Sequence, residues 1–292
     1  MSAWLLIQSI INGILMGGVY SLIGVGITII FGVMKMVNFA AGSYLVWGMY
    51  FTHLGYQIFG WNCYALIPFV VVCMAVFAFV TFQLTIKNVI NVGGTAFILV
   101  TVGLSYFLQN LCELIFGTTP KTVPSAINTT SIRLGNFMIN LPRFIAFCAM
   151  VLLVFLVNAL LTRTNLGRAM RATSEKPEVA TMLGINTRRT YNIAFIIGAT
   201  FAGLAGLLLT PLYYVTPTVG SIFRTSALMV CVMGGLGNIK GALVAGMLAG
   251  IVEAVVGTMV SPDLGTVAVC ILFLIVLYVR PQGILGKGER RA

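Results

Sequence analysis

Charge is scarce in this chain: 8% of its 292 residues are Asp, Glu, Lys or Arg, six of those are acidic, and there is one histidine. Globular domains carry about a quarter of their residues as charges, so a water-soluble body is excluded. The six cysteines, Cys63, Cys73, Cys112, Cys148, Cys231 and Cys270, are scattered, with no CxxC and no neighbouring histidine. That excludes a metal site and a disulfide framework and leaves small apolar helix residues. No GxxxxGK[ST] phosphate cradle occurs; GGLGNIKGAL and GILGKGE come nearest, and neither completes it with a lysine and a hydroxyl. The chain is therefore not expected to hydrolyse ATP. His53 has no carboxylate or nucleophile near it in sequence, and Ser105 in VGLSYF has no histidine in any later helix to serve as its base. An enzyme is not expected.

What the sequence does hold is apolar length: 59% of residues are hydrophobic. A membrane span needs roughly 20 predominantly apolar residues to cross about 30 Å of hydrocarbon. Runs of that size without charge recur from Met1 to Met34, Met36 to Ile86, Asn88 to Cys112, Phe144 to Thr162 and Thr190 to Phe223. The runs are continuous, not alternating, which predicts helices and not a barrel. The first run has no basic segment before it and no convincing cleavage site, so the first helix is expected to stay. Eight or nine spans follow, near 8–31, 36–56, 64–86, 95–116, 144–162, 191–212, 222–239, 242–260 and 264–280.

The net charge of +11 sits at span ends. That is the pattern of retention on the cytoplasmic side, not of nucleic-acid binding. Six of the 17 Lys and Arg residues fall between Arg163 and Arg189, which predicts a cytoplasmic loop over 163–190. Alternation puts residues 117–143 outside, and their GTTPKTVPSAINTTSIRLGN predicts an irregular exposed loop.

Two apolar stretches are interrupted alike: FGVMKMVNFAAG, Phe31 to Gly42, and MGGLGNIKGALVAG, Met233 to Gly246. Each carries an Asn, a Lys and several Gly in mid-pattern. Unwound backbone at membrane depth is tolerated where it lines a cavity or is covered by protein, and paired breaks point to a transport path. The candidate path residues are Asn38, Phe39, Ala41, Gly42, Gly234, Gly235, Gly237 and Asn238. Glu253, in GMLAGIVEAVVG, joins them, because a carboxyl within an apolar span costs several kcal/mol unless paired or wet.

INGILMGGVYSLIGVGITIIFGVMKMVNFAAG, GRAMRATSEKPEVATMLGIN, GGLGNIKGALVAG with GIVEAVV, and VRPQGILG stand in the order and spacing of one family. Together they make the chain resemble, over nearly its whole length, the permease subunits of bacterial branched-chain amino acid ABC transporters. The resemblance implies an all-helical, multi-pass inner-membrane permease forming one transmembrane domain, 1–292. It implies partners: a second permease, related or a second copy, two ATP-binding subunits that hold the ATP and Mg, an extracytoplasmic substrate-binding protein, and membrane lipid. No nucleic acid is expected. The implied solute is a branched-chain or other apolar amino acid; resembling systems also carry urea and short amides. A secondary transporter or channel working alone, with Glu253 as its ion or proton site, is the alternative. The chain departs from the family where Ala41 replaces a usual His or Gln, Ser43 a usual Glu, and Lys240 a usual proline.

Within the basic loop, Pro177 suits a first helical position and Gly184 the residue just past an end, which predicts a helix from Pro177 to Leu183. Val179, Met182 and Leu183 form an apolar stripe at i, i+3, i+4 spacing. Ala180 and Gly184 are small enough to admit a partner's backbone. The resemblance places the coupling loop on these residues, Pro177, Glu178, Val179, Ala180, Met182, Leu183, Gly184 and Ile185, as the contact with an ATP-binding subunit.

Overall fold

The computed structural model describes residues 3–90, 92–124, 131–134 and 137–286. It is built of helices: α1 (Ala3–Met34), α2 (Ala41–Phe59), α3 (Ile67–Leu84), α4 (Gly94–Phe116), α5 (Leu141–Arg163), α6 (Asn165–Glu175), α7 (Pro177–Met182), α8 (Thr187–Leu209), α9 (Val219–Gly234), α10 (Ile239–Met259) and α11 (Pro262–Val279). Seven of them are long and apolar enough to cross a membrane: α1, α3, α4, α5, α8, α10 and α11. The eight or nine spans of the sequence reading become these seven plus α2 and α9. At 16 residues α9 is too short to cross alone, about 24 Å at 1.5 Å per residue.

The inner helices are α1, α2 and α8. Every residue of α2 from Ala41 to Tyr50 is buried, as is α8 from Gly198 to Leu209. The outer helices turn large apolar side chains outward: Val72 and Val76 on α3, Leu152 and Phe155 on α5, Leu274 and Tyr278 on α11. Lipid tails satisfy such side chains, so burial in this fold follows close backbone approach and not hydrophobicity. An aromatic wedge fixes α2 between its neighbours. Trp47 stacks on Phe77 of α3 at 4.6 Å and donates its indole N–H to the Leu108 carbonyl of α4, and Tyr50 stacks on Phe116 at 4.4 Å.

Two elements differ from the sequence reading. Two short strands, β1 (Ser131–Leu134) and β2 (Phe137–Asn140), pair antiparallel in the register Ser131 to Asn140, within a stretch read as irregular. In the basic loop α6, where no helix was read, precedes α7, the short helix expected from Pro177. Thr164 caps α6 by accepting from the Gly167 N–H.

Candidate functional site

The two interruptions resolve into different structures. Beyond α1 the chain leaves the helix at Lys35, whose φ is +56°, and does not resume helical geometry until Ala41. Gly32 faces Gly237 just past the last turn of α9, whereas Gly42 meets Gly220 in its first turn. Residues 35–40 therefore retrace most of the length of α9, about 20 Å at 1.5 Å per helical residue. Asn38 lies wholly buried in this stretch, its Oδ1 accepting from the Ala40 N–H at 2.9 Å. Ala41 and Gly42 are buried with it, and Phe39 is half-buried.

The second interruption is a tight turn between α9 and α10. Asn238 caps α10, its Oδ1 accepting from the Gly241 N–H at 3.2 Å and its Nδ2 donating to the Leu285 carbonyl at 2.5 Å. The Ile284 N–H reaches the Met233 carbonyl at 2.8 Å, so the ILG of the closing motif is sewn to this turn. Gly234 and Gly235 are buried under that segment, and Gly237 is exposed. The candidate path residues thus separate into a buried group at the start of α2 and a turn at the far end of α9.

The buried group borders a polar cleft. Ser43, Val46, Ser105, Leu108, Gln109, Pro217, Gly220, Ser221 and Arg224 line it. Arg224 Nη1 donates to Ser105 Oγ at 2.7 Å, and Ser43 Oγ lies 3.1 Å from both the Ser105 hydroxyl and the Ser105 carbonyl. The cleft can exist because α2 and α9 cross at two glycines. A Cβ on Gly42 would strike the Gly220 carbonyl and come within 2.7 Å of the Arg224 Cβ, and one on Gly220 would strike the Gly42 carbonyl. A second cavity, about 250 Å³, lies at the basic end between Lys87, Arg188, Arg189, Gln83, Asn186 and Asn192.

Glu253 is elsewhere, on the face of α10 against α1 and α11. Its carboxyl faces the Tyr20 hydroxyl, and its Cγ lies where a side chain on Gly265 would have to go. It does not line the cleft.

At the basic end α7 ends in a Schellman motif. The Gly184 N–H bonds the Thr181 carbonyl, the Ile185 N–H bonds the Ala180 carbonyl, and Gly184 takes φ +83°. Val179, Met182 and Leu183 are exposed, Met182 at 85% and Leu183 at 75%. Ala180 is 2% exposed and faces its own chain, which corrects the expectation that it would admit a partner's backbone. Pro177 and Glu178 hold the first turn, and Leu183 follows the helix instead of ending it.

The family model of the branched-chain amino acid transport system permease component matches residues 9–277. The chain belongs to that family. It is 31% identical to the high-affinity branched-chain amino acid transport permease LivH of Escherichia coli K12, over 97% of this chain and 96% of that one. Against the corresponding permease BraD of Pseudomonas aeruginosa PAO1 the identity is 29%, with the same coverage. The permease LivM of Escherichia coli K12 matches 48% of this chain at 32% identity.

This permease of a transport system carries site residues that the sequence reading missed, Arg224 foremost. Arg224 served there only to end an apolar run, although it falls inside the span drawn over 222–239. The rule that singled out Glu253, an ionisable group within an apolar span, applies to it equally.

Proposed function

We propose that this permease is the membrane subunit of an ATP-driven importer, moving branched-chain or other apolar amino acids across the bacterial inner membrane. It pairs with a second permease, related or identical, receives solute from an extracytoplasmic binding protein, and is driven by two ATP-binding subunits that hold the ATP and Mg. The names of the LivH and BraD relatives support the solute class, and the LivM relative supports a second permease. One observation carries the ATP-driven part. A helix of six residues is not stable alone in water, yet α7 is tied down through Ala180 and presents Val179, Met182 and Leu183 outward. Such a stripe is what a groove on another protein buries.

Reconstitution of the permease with its co-expressed partners in proteoliposomes tests this. Leucine uptake should require ATP and the ATP-binding subunits. Uptake down a gradient without either would instead identify a channel or a secondary transporter, and preferential uptake of urea or acetamide would replace the amino acid as solute.

A further inference from the structure

We propose that the cleft of Ser43, Ser105, Gln109 and Arg224 binds the carboxylate of the transported solute halfway through the permease. The inference rests on the importer reading and names the part of the solute that this chain holds. Its first ground is depth. Ser105 is the central residue of α4, a helix of membrane-crossing length, with Gly94 and Phe116 each eleven residues away. That places it about 16 Å from either end. Arg224 reaches this residue, so a guanidinium lies at mid-membrane, where a cation is costly unless it is paired or hydrated.

The second ground is composition. The cleft lining contains hydroxyls, an amide and a guanidinium but no carboxylate, and among the described residues no ion pair reaches Arg224. A guanidinium offers five N–H donors in a planar fork that matches a carboxylate, and among the described residues its hydrogen bond is to Ser105. The Ser43 hydroxyl can donate to the Ser105 carbonyl, which leaves the Ser105 proton free for a further acceptor. The first turns of α2 and α9 converge on the same point, and helix N-termini favour negative charge. All these groups ask for an anion with two acceptor oxygens.

The third ground is size. The cleft has about 10 Å³ of internal room, enough for one water. It suits a head group that displaces water at the mouth, not a whole solute. The rest of the solute then lies on the open side, beyond Ser221, Ile222 and Thr225 of α9, which are exposed. That face is where the second permease would complete the path.

The experiment uses the complex of both permeases and the ATP-binding subunits in detergent, titrated with leucine and with leucinamide by saturation-transfer NMR. In parallel, ATP-dependent leucine uptake is measured in proteoliposomes. Leucine should saturate at a concentration at least about tenfold lower than leucinamide, the scale of one charge-assisted contact. Arg224→Gln should erase that difference and lower uptake about tenfold or more, and Arg224→Lys should restore part of both. Ser43→Glu, which offers Arg224 an internal carboxylate, should erase the preference with the arginine still in place, and so guards against misfolding of the Arg224→Gln variant. A wild-type complex with no preference, or variants that keep it, overturns the site while ATP-dependent uptake leaves the importer standing. Preference without ATP-dependent uptake does the reverse. Dissociation of the two permeases in Arg224→Gln, with the preference retained by the separated wild-type subunit, also overturns the proposal, because Arg224 then pairs with the partner permease.

Discussion

The interruptions at 31–42 and 233–246 are alike in composition and differ in everything else. Each sets an Asn, a Lys and glycines in an apolar run, yet one carries the chain back along α9 into the protein and the other turns it sharply at the basic end. Their surroundings make the difference. Asn38 is wholly buried, and α2 leaves it among Tyr44, Trp47 and Tyr50, which pack against α3, α4 and α8. Asn238 is half-buried and draws on the chain's own end, the Leu285 carbonyl. A polar break in an apolar pattern therefore marks a departure from helix without saying whether the departure goes deep.

The largest expected effect lies at the deep break. Gly42→Leu inserts a side chain where the Gly220 carbonyl and Arg224 Cβ already stand, so α2 and α9 must separate. Overpacking costs about 1–3 kcal/mol where side chains can move and more where backbone must. We expect loss of uptake and a drop of more than about 3 kcal/mol in stability, seen in the unfolding of the purified permease. At the shallow break Gly237→Ala strains a residue at φ +86° and brings its Cβ to 3.3 Å from the Gly32 Cα, at a cost of about 1–3 kcal/mol, below that of Gly42→Leu, and with uptake retained.

The second effect contrasts two faces of α7. Met182→Glu with Leu183→Glu alters exposed residues, and surface changes of that kind stay within about 0.5 kcal/mol in stability. ATP-driven uptake should nevertheless fall at least about tenfold, the scale of losing one apolar anchor worth roughly 1.5–3 kcal/mol. Ala180→Trp should do the opposite, unfolding the arm before any partner is reached, because Ala180 is buried within its own chain. Co-purification of the ATP-binding subunits separates the two: the double variant loses them with the permease intact.

How much of this was legible follows from which signals are local. The apolar runs fixed the long helices, because nothing but a helix satisfies some 20 apolar residues in lipid. Pro177 and Gly184 marked the ends of α7 by geometry that each residue carries alone. The cleft was not legible as a site, since Ser43 and Ser105 lie 62 residues apart and Ser105 and Arg224 119 apart. No spacing rule joins them. The return of residues 35–40 was hidden for the same reason: only α9 beside them shows their direction. Arg224 itself was in plain view inside a drawn span and was passed over as a boundary.

A third comparison sets Asn38 against Asn238, the same side chain capping the same kind of break. Asn38→Ala leaves the Ala40 N–H without its acceptor where water has no ready access, at a cost of about 1–3 kcal/mol. Asn238→Ala gives up an N-cap and a bond to Leu285 where water can replace both, at about 1 kcal/mol. Thermal unfolding of the two variants side by side should rank them in that order. Equal losses would mean that the deep break is as wet as the turn.

The smallest expected effect is at Glu253. It sits on α10 facing Tyr20 of α1, half-buried, beside the backbone of Gly265 on α11, and away from the cleft. A carboxyl in that place serves either as a hydrogen-bonding post between three helices or as a site that takes up and releases a proton during transport. Glu253→Gln separates the two, because the amide keeps the shape and can bond the Tyr20 hydroxyl but cannot carry a proton through a cycle. An ATP-driven permease needs only the post, so uptake by Glu253→Gln should stay within about twofold of the parent and stability within about 0.5 kcal/mol. Glu253→Leu takes the carboxyl away from the Tyr20 hydroxyl it faces, at up to about 1–3 kcal/mol, with uptake falling only as far as the amount of folded protein falls. If Glu253→Gln abolishes uptake while its unfolding matches the parent, the carboxyl is a proton site and the permease works as an ion-coupled carrier, against the importer reading.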